Sequence, residues 1–199
     1  AEGIEVDLPH LGGKRAATWF PISWVIYSVY LSEKIGYWRY ILMDRHLKAN
    51  PGEAFAPLFD FFEPWCQDEN RHGDCFTVMM RCWPGITKGW RGKLLSRFFL
   101  WSVFLTHTLT VCERGEFYEL LGIVPKEFDE EVIKRTNHTA KNAFPWVFNL
   151  EDNRFWDLRN NIIDAFRGFV STKGISKPVK FINFVSLIFQ QFALPMEAT

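Results

Sequence analysis

The chain has 199 residues, enough for one domain with a sizeable core, and its 23 basic residues balance 23 acidic ones. That balance excludes a general nucleic-acid binder, which needs a basic surface to meet phosphates. The 20 Phe, 9 Trp and 5 Tyr are more aromatic surface than a small soluble enzyme needs, so they imply a thick aromatic core or contact with lipid, pigment or a large apolar partner.

Residues 1–20 read as an extended lead-in, because Pro9, Gly12 and Gly13 interrupt any periodicity. The Ala1-Glu2-Gly3 start carries neither a Met nor a signal-peptide pattern, as a processed or trimmed chain would. From Pro21 to Lys48 no proline intervenes, which predicts a long helix that Asn50-Pro51-Gly52 stops. Its first half is apolar, and its second half carries Glu33, Lys34, Arg39, Asp44, Arg45 and His46. A second helix is predicted from about Glu53 to Cys82, before Trp83-Pro84-Gly85. Pro64 falls in its interior, where a missing N–H typically costs ~3 kcal/mol, so a bend is expected there.

Lys93 to Cys112 is apolar almost all round and about as long as a membrane span, but Arg97 and His107 make a simple span costly. A buried central helix, or one lying in the membrane interface, is the expectation. Glu113 to Leu121 predicts a short helix capped by Gly122, and Phe128 to Ala143 predicts another, stopped by Pro145. Phe155, Leu158, Ile162, Phe166 and Phe169 repeat at helical steps behind Asp152, a suitable N-cap. A turn at 171–174 leads to a final apolar run, Phe181 to Leu194, able to dock on the domain, a membrane or a partner. No stretch alternates with period two, so the class is all-α. The organisation is a lead-in over 1–20, a helical domain over 21–170 and an apolar helix with its tail over 171–199. Cys66, Cys75, Cys82 and Cys112 lack C-x-x-C spacing and predict a reducing compartment.

The chemistry concentrates in WCQDENRHGDCF, residues 65–76. On a helix, Glu69 and His72 stand at i and i+3 on one face, where a carboxylate and an imidazole meet one metal ion. This is half of the ligand pattern of carboxylate-bridged di-iron bundles, which also need a second Glu-x-x-His and two further glutamates. Glu33 is a further candidate. About 17 residues separate it from Asn50 and about 19 separate Asn50 from Glu69, so at ~1.5 Å per residue antiparallel helices bring them level. Taken alone, Glu69 and His72 also fit a solvated helix face, and Glu33 an ordinary salt bridge.

YLSEKIGYWRY at 30–40, RHL at 45–47 and WCQDENRHGD at 65–74 closely resemble the aerobic magnesium-protoporphyrin IX monomethyl ester oxidative cyclase family. The resemblance continues through Ser96-Arg97-Phe98-Phe99, Phe117-Tyr118, Glu127-Phe128-Asp129, Thr136-Asn137 and Phe144-Pro145. It implies a partial ferritin-like bundle with additional C-terminal helices. It also implies a membrane-associated di-iron protein of chlorophyll biosynthesis that closes the fifth porphyrin ring with oxygen and electrons. Carried over by position, Glu33, Glu69 and His72 would be iron ligands, with Asp68 and Asp74 orienting His72 or Arg71; those aspartates equally fit a salt-bridged helix face. The implied location is the chloroplast, on the stromal side of the thylakoid membrane.

The sequence departs from the family in two places. Pro64 precedes the ligands where the family has a helix-forming residue. No second Glu-x-x-His exists: Asp7-x-x-His10 contains Pro9, and His46, His107 and His138 lack a carboxylate three residues earlier. The resemblance matches only the C-terminal part of the family. The first expectation is therefore a shortened, catalytically degenerate relative holding a half-site. It would act as an accessory subunit of a photosynthetic membrane complex, against lipid or a photosystem, with chlorophyll or another pigment as a further ligand. The alternative is a fragment of an active cyclase whose first half supplies the missing ligands. A third is a homodimer that combines two half-sites.

Overall fold

The first helix, α1 (Ile22–Ala49), starts directly after Pro21 and ends where the Asn50 side-chain amide donates to the His46 carbonyl at 2.9 Å. This computed structural model describes residues 20–199, so the expected lead-in over residues 1–19 lies outside the described residues. The remaining elements are α2 (Phe62–Cys82), α3 (Gly89–Glu113), α4 (Gly115–Leu120), α5 (Pro125–Ala140), β1 (Trp146–Phe148), α6 (Asn153–Ser171), α7 (Lys177–Phe192) and β2 (Met196–Ala198). The class is all-α, as the sequence predicts.

Two local expectations are corrected. The helix expected from Glu53 begins only at Phe62, because Pro51–Glu53 and Pro57–Phe61 form short 3-10 turns instead. Pro64 is thus the third residue of α2, within the first turn, where the backbone N–H has no helical acceptor. It begins the helix and does not bend it. The second correction is a two-stranded antiparallel ribbon, with Val147 opposite Glu197, that ties the C-terminus to the loop after α5. Three-residue strands are too short to show an alternating pattern in sequence.

Other caps agree with the sequence. Gly122, at φ 67°, closes α4, with Ile123 N–H donating to the Tyr118 carbonyl at 2.9 Å and Gly122 N–H to Glu119 at 3.0 Å. Asp152 accepts from the Arg154 N–H at 3.0 Å at the start of α6.

α1 packs most extensively on α2, and also against α3 and α5. The Lys48–Glu63 ion pair at one end and the Glu33–His72 contact further along show that α1 and α2 run antiparallel. The core is aromatic: Tyr27 and Tyr30 pack on Phe144 at 4.7 and 5.2 Å, and Phe104 and Phe148 pack on Phe155. Both tyrosine hydroxyls find carbonyl acceptors, Tyr27 on Ile86 and Tyr30 on Thr139. The aromatic-core reading of the composition therefore holds, while other aromatics, among them Phe20, Trp24, Phe55, Phe61 and Trp90, stay exposed.

α3 is the one helix among the described residues long and apolar enough to cross a membrane, yet Phe99, Leu100, Phe104, His107, Thr108 and Val111 are buried against the chain. Arg97 and His107, the two residues that make a simple span costly, are both engaged. Arg97 donates to the Phe192 and Leu194 carbonyls at 2.5 and 2.7 Å, which fastens the end of α7. His107 Nδ1 lies 2.6 Å from the Asp129 carboxylate, which also accepts from Thr108 at 2.9 Å and Arg159 Nε at 2.7 Å.

Burial raises the pKa of Asp129, but its hydrogen bond to His107 and the charges of His107 and Arg159 outweigh that and hold it below the ordinary carboxylate value. A depressed folded pKa contributes stability that is present above the unfolded value and lost as pH falls through the folded one. Acid titration below about pH 4 should therefore loosen the α3–α5–α6 junction. Asp129→Asn should cost roughly 3 kcal/mol in urea unfolding at neutral pH, because it removes the buried counter-charge of Arg159 and leaves only the more exposed Glu130, 3.3 Å away. The variant should also lose less stability on acidification than the parent.

Candidate metal centre

Glu33 projects from the middle of α1, and Glu69 and His72 from one face of α2. One ligand atom from each lies within 4.8 Å of the other two, and His72 Nδ1 is 3.2 Å from Glu33 Oε2. Glu33 and Glu69 are partly buried, whereas His72 is exposed, so the cluster opens outward on its histidine side. Two carboxylates and an imidazole suit a divalent first-row metal such as iron. The electrostatics suit a cation: burial, followed by the neighbouring Glu33 carboxylate, pushes Glu69 up to about 7, with His72 and Arg39 opposing. A metal ion would supply the positive charge that a proton on Glu69 otherwise provides.

The register that creates this cluster is held next door. Lys34, beside Glu33 in sequence, is almost fully buried, and its ammonium donates to the Asn70 carbonyl at 3.2 Å, Asn70 Oδ1 at 2.9 Å and Asp74 Oδ1 at 2.6 Å. Its methylenes cross α2 over Gly73, where an added Cβ would lie 2.5 Å from Lys34 Cε. On the opposite helix, Gly36 leaves space for Glu69, whose Oε2 would be 3.5 Å from a Cβ at that position. Each helix thus has a glycine where the other presents a charged side chain.

The structure brings Glu33, Glu69 and His72 together, while Asp7 and His10 lie outside the described residues. Neither aspartate considered as a support touches His72. Asp74 binds Lys34, the salt-bridged alternative, whereas Asp68 sits 3.4 Å from Arg71, a contact that fits either expectation. His46 Nε2 meets the Leu121 carbonyl at 2.8 Å, and His107 belongs to the Asp129 cluster. Cys66, one turn before Glu69, is buried, and burial pushes its thiol up to about 11, so it packs as an apolar side chain. Lys34 and Gly73 escaped the sequence reading. A glycine inside a helix costs about 1 kcal/mol relative to alanine, and that local cost was the available signal.

Comparison with known proteins gives the class first: residues 3–80 match the rubrerythrin family pattern, a ferritin-like class that agrees with the all-α fold. The chain is 72% identical over 198 residues to the magnesium-protoporphyrin IX monomethyl ester [oxidative] cyclase of Prochlorococcus marinus strain MIT 9211, which covers all of this chain and 57% of that protein. It is 71% identical to the same enzyme from strain MIT 9313, again over 57% of the relative. Cyclase 2 of Synechocystis is 53% identical over 77% of this chain and 43% of its own length. The chain belongs to this cyclase family and spans little more than half the length of the Prochlorococcus relatives. No solved structure matches it significantly.

Gly73→Ala should force Lys34 off its three acceptors, destabilise the fold by about 1–3 kcal/mol in thermal unfolding and weaken Co(II) binding at the cluster. An alanine at exposed Gly52, where an added Cβ meets nothing within 4 Å, is the control and should leave metal binding unchanged.

Proposed function

We propose that this chain carries one half of the iron centre of an aerobic cyclase that oxidatively closes a ring on magnesium-protoporphyrin IX monomethyl ester. The observation that carries this reading is the convergence of Glu33, Glu69 and His72 within 4.8 Å. A partly buried cluster with Glu69 raised to about 7 is organised to receive a cation. The remaining carboxylates and the second Glu-x-x-His come from outside the described residues, on a further segment or another chain. The exposed His72 side is where they approach.

Iron held there supplies the redox chemistry with oxygen and electrons that an oxidative ring closure requires. Glu33 and Glu69 hold the ion and neutralise its charge, and Glu69 gives up its proton as the ion enters. Lys34 keeps the two helices in register without contributing a ligand. Trp65 stands one helical turn before Glu69, half-exposed and packed against Tyr40 and Phe62, and offers a flat face on which a macrocycle can stack. The inferred location is the surface of a photosynthetic membrane, the stromal side of the thylakoid in a chloroplast.

A different observation favours a second reading, an accessory subunit of a photosynthetic membrane complex. Phe20, Trp24, Val25 and Phe98 line an apolar hollow of about 280 Å³ at the start of α1, large enough to receive part of a pigment or a partner's side chains. In that reading the half-site holds no functional iron and the aromatic surface does the work.

Metal content per chain, measured on the native intact assembly with Glu69→Ala and His72→Ala variants, separates the two. The cyclase reading expects stoichiometric iron that falls at least about tenfold in both variants while helicity is retained. Absence of stoichiometric iron from the parent assembly overturns it and leaves the accessory role.

A further inference from the structure

The last two helices form a hairpin joined by phenylalanines, beside a groove lined by Asp164 and Gly168 of α6 and Lys180 and Leu187 of α7. Phe166 and Phe169 of α6 pack on Phe184 of α7 at 5.7 and 6.4 Å, and Phe169 on Phe181 at 5.5 Å. The outer face of α7 is different. Val179, Ile182 and Phe189 fall on one stripe at helical spacing, each about two-thirds exposed, and Ile175 in the turn just before it is 99% exposed. Val170, at the end of α6 beside that turn, is also exposed.

Positive charge accompanies this apolar stripe. Although the whole chain is neutral, residues 165–196 contain Arg167, Lys173, Lys177 and Lys180 and no Asp or Glu. The three lysines gather at the turn end of the hairpin, where Ile175 protrudes, and none has an ion pair among the described residues. Lys177 lies over the Phe169 ring at 5.0 Å, which leaves its ammonium at the surface.

We propose that the α6–α7 turn and the outer face of α7 dock on an anionic lipid bilayer. Ile175, Val179 and Ile182 enter the headgroup boundary while Lys173, Lys177 and Lys180 meet lipid phosphates. An apolar stripe bordered by unpaired lysines is the pattern of a helix that lies in the interface plane. The contacts of Arg97 with the last carbonyls of α7 hold the helix on α3, so the stripe remains outward. This surface is separate from the Glu33–Glu69–His72 cluster, and the inference stands whether or not iron binds.

The test is co-sedimentation of the full chain with phosphatidylcholine vesicles, with and without phosphatidylglycerol. Binding should be at least ~10-fold tighter with the anionic lipid and should weaken as salt is raised. Ile175→Asp with Ile182→Asp, and separately Lys173→Glu with Lys177→Glu and Lys180→Glu, should each abolish that preference. All five side chains are exposed, so circular dichroism should be unchanged. Failure of the parent to bind anionic vesicles overturns the proposal. So does binding that survives both sets of substitutions, which would assign the hairpin face to a protein contact and lipid binding to another surface.

Discussion

The antiparallel pairing of α1 and α2 depends on one buried cation. Lys34 lies across Gly73 and ends among Asn70 and Asp74, and this contact fixes how far one helix can slide along the other. A slip of one helical turn, about 5.4 Å, would exceed the spacing of the whole ligand cluster. The Glu33–Glu69–His72 arrangement is therefore a consequence of a lysine that binds nothing itself. Burying an ammonium is costly unless it is hydrogen-bonded and paired, and here three oxygens meet that requirement. The same cost makes any other register unfavourable, because it would leave the ammonium without partners.

Two charge clusters divide the work of the fold. Around Asp129, the histidine, threonine and arginine satisfy one carboxylate and join α3, α5 and α6, leaving little for a ligand to do. Around Glu69, burial and the facing Glu33 carboxylate are only partly offset by His72 and Arg39, and the pKa rises to about 7. A satisfied cluster is structural, whereas an incompletely satisfied one beside solvent is prepared for a cation. Comparing the two is more informative than the number of acidic residues in either.

The aromatic content serves both burial and contact. Tyr27, Tyr30, Phe104, Phe144, Phe148 and Phe155 close the centre, while Phe20, Trp24, Trp90 and Phe189 face outward. Net charge, which is zero for the chain, conceals acid-free basic stretches at residues 75–112 and 165–196.

Sequence by itself determined the helices, most of their ends, the Gly122 and Asp152 caps, and the placing of Glu69 and His72 on one face. All of these follow from local spacing and backbone preference, which act over a few residues. It also suggested Glu33 through equal arm lengths, and the family through long runs of identical type. Tertiary structure decided what depends on neighbours distant in the chain. It moved Asp74 from a supposed support of His72 to the Lys34 clamp and made Pro64 a helix start. It also paired β1 with β2, placed Arg97 on the Phe192 and Leu194 carbonyls and buried His107 against Asp129. A residue's charge is written in the sequence. Whether that charge is desolvated, and which group compensates it, is set only when the helices pack.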